Sequence, residues 1–200
     1  MKRQIIIIHG GDTFENYDAY LDFLQHCEID LSRYTQSEQS WKEWLRERLG
    51  STYEVVLPRM PNKSNAQYSE WKLWFEKLIP LFNEEVVLVG HSLGAAFLVK
   101  YLSENKFPKK ILGVFLVGAV YDTDTEGYSI ASFALPEKLD VQTEHITFYH
   151  SKDDNVVAFS ALEQFKRALP NARTRVFEDK GHYFGAEFPE IAEDIEQLEK

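Results

Sequence analysis

Two hydrophobic rhythms alternate along this chain. In residues 5–8, 86–89 and 111–120 almost every position is apolar or glycine, the pattern of a short strand covered on both faces. Residues 53–57, 145–149 and 173–177 read as three further strands. Between these runs the apolar residues fall three and four apart. Tyr17, Tyr20, Leu21 and Leu24 mark one face of a helix over 15–25. Trp41, Trp44, Leu45 and Leu49 mark a second over 37–49, capped by Ser37 or Ser40 and ended by Gly50. Trp71, Trp74, Phe75 and Leu78 are expected inward on a third over 67–81. Residues 95–102, 160–169 and 188–198 complete the helical set, the last with Pro189 in its first turn. Six strands alternating with helices predict an α/β fold: a parallel sheet with helices on both faces, hence a three-layer α/β/α sandwich. The expected strand order is second, first, third, fourth, fifth, sixth. With 200 residues and 44% hydrophobic content, one domain spanning 1–200 is expected.

Charge narrows the partners. The chain carries 22 basic and 32 acidic residues, a net charge of −10. That argues against nucleic acid, whose phosphates need a basic footprint, and against an anionic membrane surface. The apolar start stops at His9-Gly10-Gly11-Asp12, too early for the core of a signal peptide. The longest apolar run, 111–121, falls well below the ~18 residues that a membrane span requires. The lone cysteine, Cys27, has no internal disulfide partner, so a cytoplasmic location is expected. No Cys/His spacing points to a metal, and no cofactor is expected.

Two stretches exceed what the sandwich needs. A crossover requires one helix, yet two fall between the first and second strands. Part of 14–36 reads as a cap whose Phe14, Tyr17, Tyr20, Phe23 and Tyr34 line a substrate pocket. The alternative is a helix over a sheet edge, with the same rings in the core. Residues 121–140 form a second candidate cap, acidic at Asp122, Asp124 and Glu126, then apolar at Tyr128, Ile130, Phe133 and Leu135. It leaves a strand end on the side where open α/β sheets bind ligands.

The chemistry centres on Gly90-His91-Ser92-Leu93-Gly94, which lies between an apolar strand and a helix. In that setting G-x-S-x-G forms a nucleophile elbow. The two glycines let neighbouring backbone approach, Ser92 projects at the carboxyl end of the sheet, and the Leu93 amide at the helix start faces a developing oxyanion. The Gly-Gly turn after the first strand is expected to supply the second donor, from Gly11 or alternatively Asp12. A serine hydroxyl needs a base, and the base an orienting acid. Among six histidines, His182 follows a glycine in a loop after the last strand, at the end of the sheet that Ser92 occupies. His91 should point away from the hydroxyl, His145 and His150 flank a strand, His26 lies in the first excursion, and His9 is fixed in the glycine turn. The acid should leave the fifth strand. Asp154, followed by the apolar anchors Val156 and Val157, is favoured over Asp153, with Asp122 a further candidate. The order Ser, Asp, His is that of α/β hydrolases.

These motifs carry a resemblance. His9-Gly10-Gly11, the Gly90–Gly94 elbow, residues 151–154 and Gly181-His182-Tyr183-Phe184 are similar to the small single-domain branch of the α/β-hydrolase superfamily. That branch includes the retinoblastoma-binding serine hydrolase and bacterial relatives. The similarity runs from Ile5 to the last helix, and region 14–50 is longer than usual for the branch. The resemblance implies a minimal α/β-hydrolase fold and a Ser92-Asp154-His182 triad. It also implies hydrolysis of a small acyl substrate, a carboxylic ester first, a thioester or amide second. A non-catalytic relative that binds a protein partner is the remaining alternative.

Overall fold

The central strands form where the apolar runs are unbroken. A computed structural model describes residues 2–31, 40–121, 130–183 and 185–198. Its strands are β1 (Arg3–Ile8), β2 (Tyr53–Val56), β3 (Glu85–His91), β4 (Lys110–Val117), β5 (Ile146–Ser151) and β6 (Arg173–Phe177). All pairings are parallel and the order is β2-β1-β3-β4-β5-β6, as expected. Among the described residues the helices are α1 (Tyr17–His26), α2 (Trp41–Leu49), α3 (Tyr68–Leu78), α4 (Leu93–Glu104), α5 (Ser160–Ala168) and α6 (Pro189–Gln197). None is long and apolar enough to cross a membrane.

Alternation along the central strands divides the core into two layers. Ile6, Ile8, Val86, Leu88, Val114 and Leu116 face α3, α4 and α5, meeting Trp71, Phe75, Phe97, Leu162 and Phe165. Ile5, Ile7, Val87, Val89, Phe115 and Val117 face α2 and α6, meeting Trp41, Leu45, Leu49, Ile191 and Ile195. On α3 the buried positions are Trp71 and Phe75, one helical turn apart, whereas Trp74, expected inward, is exposed. β4 ends at Val117, three residues short of the expected 120. Gly118 there turns the chain with φ +53°, and its N–H donates to the Tyr149 carbonyl at 2.9 Å.

The two excursions behave differently. α1 buries none of its residues, and Tyr17, Leu21 and Leu24 are all exposed, so its rings do not join the core as a sheet-edge helix would require. Phe14 packs on Tyr20 and Phe23 instead. Tyr17 and Tyr20 border an open cavity of about 460 Å³ with residues 62–65, Gln67 and Glu70. Tyr34 and Ser37 lie outside the described residues, and Ser40 precedes α2. In the second excursion Ile130 and Phe133 are buried in the core, Phe133 edge-on to Trp71 at 5.2 Å. Asp122, Asp124, Glu126 and Tyr128 lie outside the described residues.

α4 docks against the sheet so closely that two of its flanking positions exclude a side chain. A Cβ on Gly94 would sit 2.4 Å from the carbonyl oxygens of both Ile8 and His9, and one on Gly90 2.5 Å from Ala95 Cα. Helix propensity alone favours alanine over glycine by about 1 kcal/mol, so the sign of the change separates packing from propensity. Gly94→Ala is expected to destabilise the protein by on the order of 1–3 kcal/mol, measured by urea unfolding. A variant as stable as the parent or more so would contradict this docking.

Candidate active site

The elbow forms because β3 passes into α4 through one residue with left-handed backbone. Ser92 has φ 55° and ψ −124°, a conformation that costs energy in any residue with a side chain. Backbone bonds on both sides hold it. Its N–H donates to the Val117 carbonyl at 2.8 Å, and its carbonyl accepts from the amides of Ala95 at 2.9 Å and Ala96 at 3.3 Å. The strain is thus supported by the neighbouring strand and by the first turn of α4. The side chain lies beside the Gly10 turn, where a Cβ on Gly10 would stand 3.5 Å from Ser92 Oγ.

That turn is held by a histidine whose tautomer is dictated by its partners. The Met60 amide donates to His9 Nε2 at 2.9 Å, so Nδ1 must carry the proton, which it donates to the Gly10 carbonyl at 2.6 Å. In a trans peptide the next N–H points the opposite way, so this bond fixes the direction of the Gly11 amide. The Asp12 amide is spent on the Lys63 carbonyl at 2.8 Å. Among the described residues the Gly11 amide makes no backbone hydrogen bond. Leu93 is the first residue of α4, where amides lack an intrahelical acceptor.

At the end of β5 the two aspartates part company. Asp154 is buried. Its Oδ1 accepts from the amides of Val156 at 2.9 Å and Val157 at 2.8 Å, and its Oδ2 accepts from His182 Nδ1 at 2.7 Å. The anchor is therefore this pair of amides and the buried Val157; the Val156 side chain is exposed. Asp153 turns outward to accept from Ser151 Oγ and the Gly181 amide, and Ser151 Oγ accepts from the Lys180 amide at 2.9 Å. Asp153 thus does not meet His182 but ties β5 to the loop carrying it. These bonds hold its carboxyl below the usual range, the Ser151 bond first. Asp122, the further candidate, lies outside the described residues.

His182 reaches the elbow through two contacts. Its ring packs on Gly118, where a Cβ would come within 2.9 Å of Cε1, and Gly118 follows the residue that accepts the Ser92 amide. His91 Nε2 donates to the His182 carbonyl at 3.0 Å, with the two rings 5.0 Å apart. The direct bond in this group joins Asp154 and His182, and the Ser92 hydroxyl makes no hydrogen bond among the described residues. Nucleophile–base contacts are commonly long without substrate and tighten on binding. With Nδ1 donating its hydrogen bond to Asp154, Nε2 is the ring nitrogen that can act as a base.

Two contributors escaped the sequence reading. Gly118 makes room for the His182 ring, and the available signal was a glycine interrupting an apolar run. His150, itself buried, has Nε2 3.0 Å from the Val157 carbonyl and 3.7 Å from Asp154 Oδ2, a second imidazole against the carboxylate. Its strand position carried no such signal. The remaining histidines lie elsewhere. His26 pairs with Asp22 on α1, and His145 precedes β5 at the far end of the sheet.

Comparison with known proteins finds a family and similar folds. A family model described as serine hydrolase matches residues 33–188. The chain is 25% identical to the serine hydrolase RBBP9 of Rattus norvegicus over 170 residues, covering 79% of this chain and 86% of that one. It is 26% identical to the putative hydrolase YdeN of Bacillus subtilis over 193 residues, 92% of this chain and 87% of that one. The crystal structure of the ydeN product superposes with a TM-score of 0.75 at 19% identity, covering 98% of both chains. An esterase from Exiguobacterium antarcticum superposes with a TM-score of 0.63 at 17% identity, covering 99% of this chain and 92% of that one. These neighbours are α/β hydrolases.

Burial also makes a pH dependence. His9, His91 and His150 are each held below the ordinary histidine range, burial being the first cause for all three. The unfolded chain protonates them as pH falls through about 6.5, whereas the folded chain resists, so unfolding takes up protons. Stability is therefore lost as pH drops from 7 to 5. Asp12, raised by burial, acts in the opposite sense, one group against three. The urea midpoint is expected to be lower at pH 5 than at pH 7, and a higher midpoint at pH 5 would contradict burial of neutral rings.

Proposed function

Since the chain belongs to the serine hydrolase family, we propose that it is a carboxylesterase-type enzyme working through Ser92, His182 and Asp154. The observation that carries this reading is the buried Asp154–His182 bond at 2.7 Å, in a loop packed on His91 of the elbow whose serine has left-handed backbone. In the proposed cycle Ser92 Oγ attacks the acyl carbon while His182 Nε2 takes the hydroxyl proton. Asp154 stabilises the imidazolium through Nδ1. The amides of Gly11 and Leu93 receive the oxyanion, Gly11 being preferred to Asp12 because the Asp12 amide is already bonded. When the tetrahedral species collapses, the C–O bond to the alcohol breaks and His182 returns the proton to the departing oxygen. Water, deprotonated by His182, then adds to the acyl-serine and releases the carboxylic acid with Ser92 restored. A cytoplasmic location remains part of this reading, resting on the lone cysteine.

The test is covalent labelling with an alkyl fluorophosphonate, read by intact mass, alongside turnover of p-nitrophenyl butyrate. The parent protein should gain one adduct and Ser92→Ala none. Asp154→Asn should lose on the order of 10⁴ in kcat, and Asp153→Asn far less. Labelling that persists in Ser92→Ala, or absence of both labelling and turnover in the parent, would overturn the proposal.

A further inference from the structure

One cation near the elbow has no role in this mechanism. α2 precedes β2 and runs back along the parallel sheet, so its first turn lies at the edge where β1 ends in the Gly10 turn and β3 ends in Ser92. Trp41 is seated there. Its amide donates to the Gly185 carbonyl at 3.1 Å, and its ring meets His91 edge-on at 5.9 Å. Lys42 Nζ lies 4.7 Å from the centre of the Trp41 ring. The side chain is half-buried, and no carboxylate bonds it among the described residues. Glu43, the adjacent acid, bonds Ser40 Oγ. The charged or titratable groups acting on Lys42, or acted on by it, are Glu43, Lys63, His9 and His91. In a chain with ten more acids than bases, an ammonium left without a bonded carboxylate at this edge is costly in the free protein. Burial pulls its pKa down to about 8, against the pull of Glu43. A docked carboxylate would relieve that cost, and the strand order reverses between β1 and β3, the switch point at which open α/β sheets bind ligands.

We propose that the substrate is an ester bearing a carboxylate, with Lys42 as the counter-ion that positions it over Ser92. This rests on the hydrolase reading above. Lys42 would act as a specificity residue, setting which esters bind productively, while the bond-breaking steps stay with the triad.

Two pairs of probes separate the position of the charge. 4-Acetoxybenzoate against 4-acetoxybenzamide places it on the alcohol side, and monoethyl glutarate against ethyl pentanoate places it on the acyl side. For at least one pair the anionic-to-neutral ratio of kcat/KM should fall on the order of 10- to 100-fold in Lys42→Met and recover in Lys42→Arg. A ratio unchanged in Lys42→Met for both pairs would overturn the proposal. If Lys42→Met does not fold, inhibition of the parent protein reads the same contact. Benzoate should inhibit at least about tenfold more tightly than benzamide, and equal inhibition would overturn the proposal. Fluorophosphonate labelling of the parent distinguishes the two failures. A labelled Ser92 with charge-blind turnover removes this inference alone, and an unlabelled protein removes the hydrolase reading with it.

Discussion

A carboxylate can be buried only if its oxygens are supplied with donors, and the way Asp154 meets that demand organises the candidate site. One oxygen is satisfied by the backbone of the turn that follows β5, through the amides of Val156 and Val157. The other accepts a hydrogen bond from His182 Nδ1. The amides belong to Asp154's own turn, so the carboxylate is aimed by local backbone. His150 stands behind it, and Ser151 with Asp153 ties the two loops together. Removing either partner of such a pair leaves a buried charge or donor uncompensated, typically a loss of several kcal/mol. The same bonds that stabilise this end of the molecule therefore orient its imidazole.

The parallel sheet supplies the remaining placement. β1, β3, β4 and β5 end at one edge, so the Gly10 turn, Ser92, Gly118 and Asp154 emerge side by side although they span more than half the chain. Tight docking of α4 under Gly90 and Gly94 converts the end of β3 into a strained turn, and the Val117 carbonyl holds it. His9 performs the equivalent service for the first loop, since its two ring nitrogens between them settle which way the Gly11 amide points. Histidines held below the ordinary range by burial serve as struts here, distinct from the one bonded to Asp154.

Much of this was legible in the sequence, for physical reasons. Strands buried on both faces leave an unbroken apolar run, so β1 and β3 announced themselves, and alternation with helices leaves a parallel sheet as the simplest outcome. The elbow was readable because close approach of α4 forces glycine at two fixed positions. Less was readable where the constraint is three-dimensional. Nothing in the local spacing of α3 says that Trp74 stays outside while Trp71 enters, because both fit an amphipathic stripe. α1 has a convincing apolar face that the fold leaves exposed. The choice between Asp153 and Asp154 depends on which carboxylate the following amides capture, which spacing alone decides poorly. His150 and Lys42 carry no sequence signal, since their significance comes from neighbours distant in the chain.

In the proposed mechanism one alcohol, one imidazole–carboxylate pair and two backbone amides converge on a single acyl carbon. A crystal structure of the protein after reaction with an alkyl fluorophosphonate tests it most directly, because the tetrahedral phosphorus occupies the place of that carbon. A bond from phosphorus to Ser92 Oγ is expected, with the phosphoryl oxygen about 2.7–3.1 Å from the amide nitrogens of both Gly11 and Leu93 and His182 still bonded to Asp154 through Nδ1. Phosphorus on another residue, or a phosphoryl oxygen turned away from both amides, would contradict it.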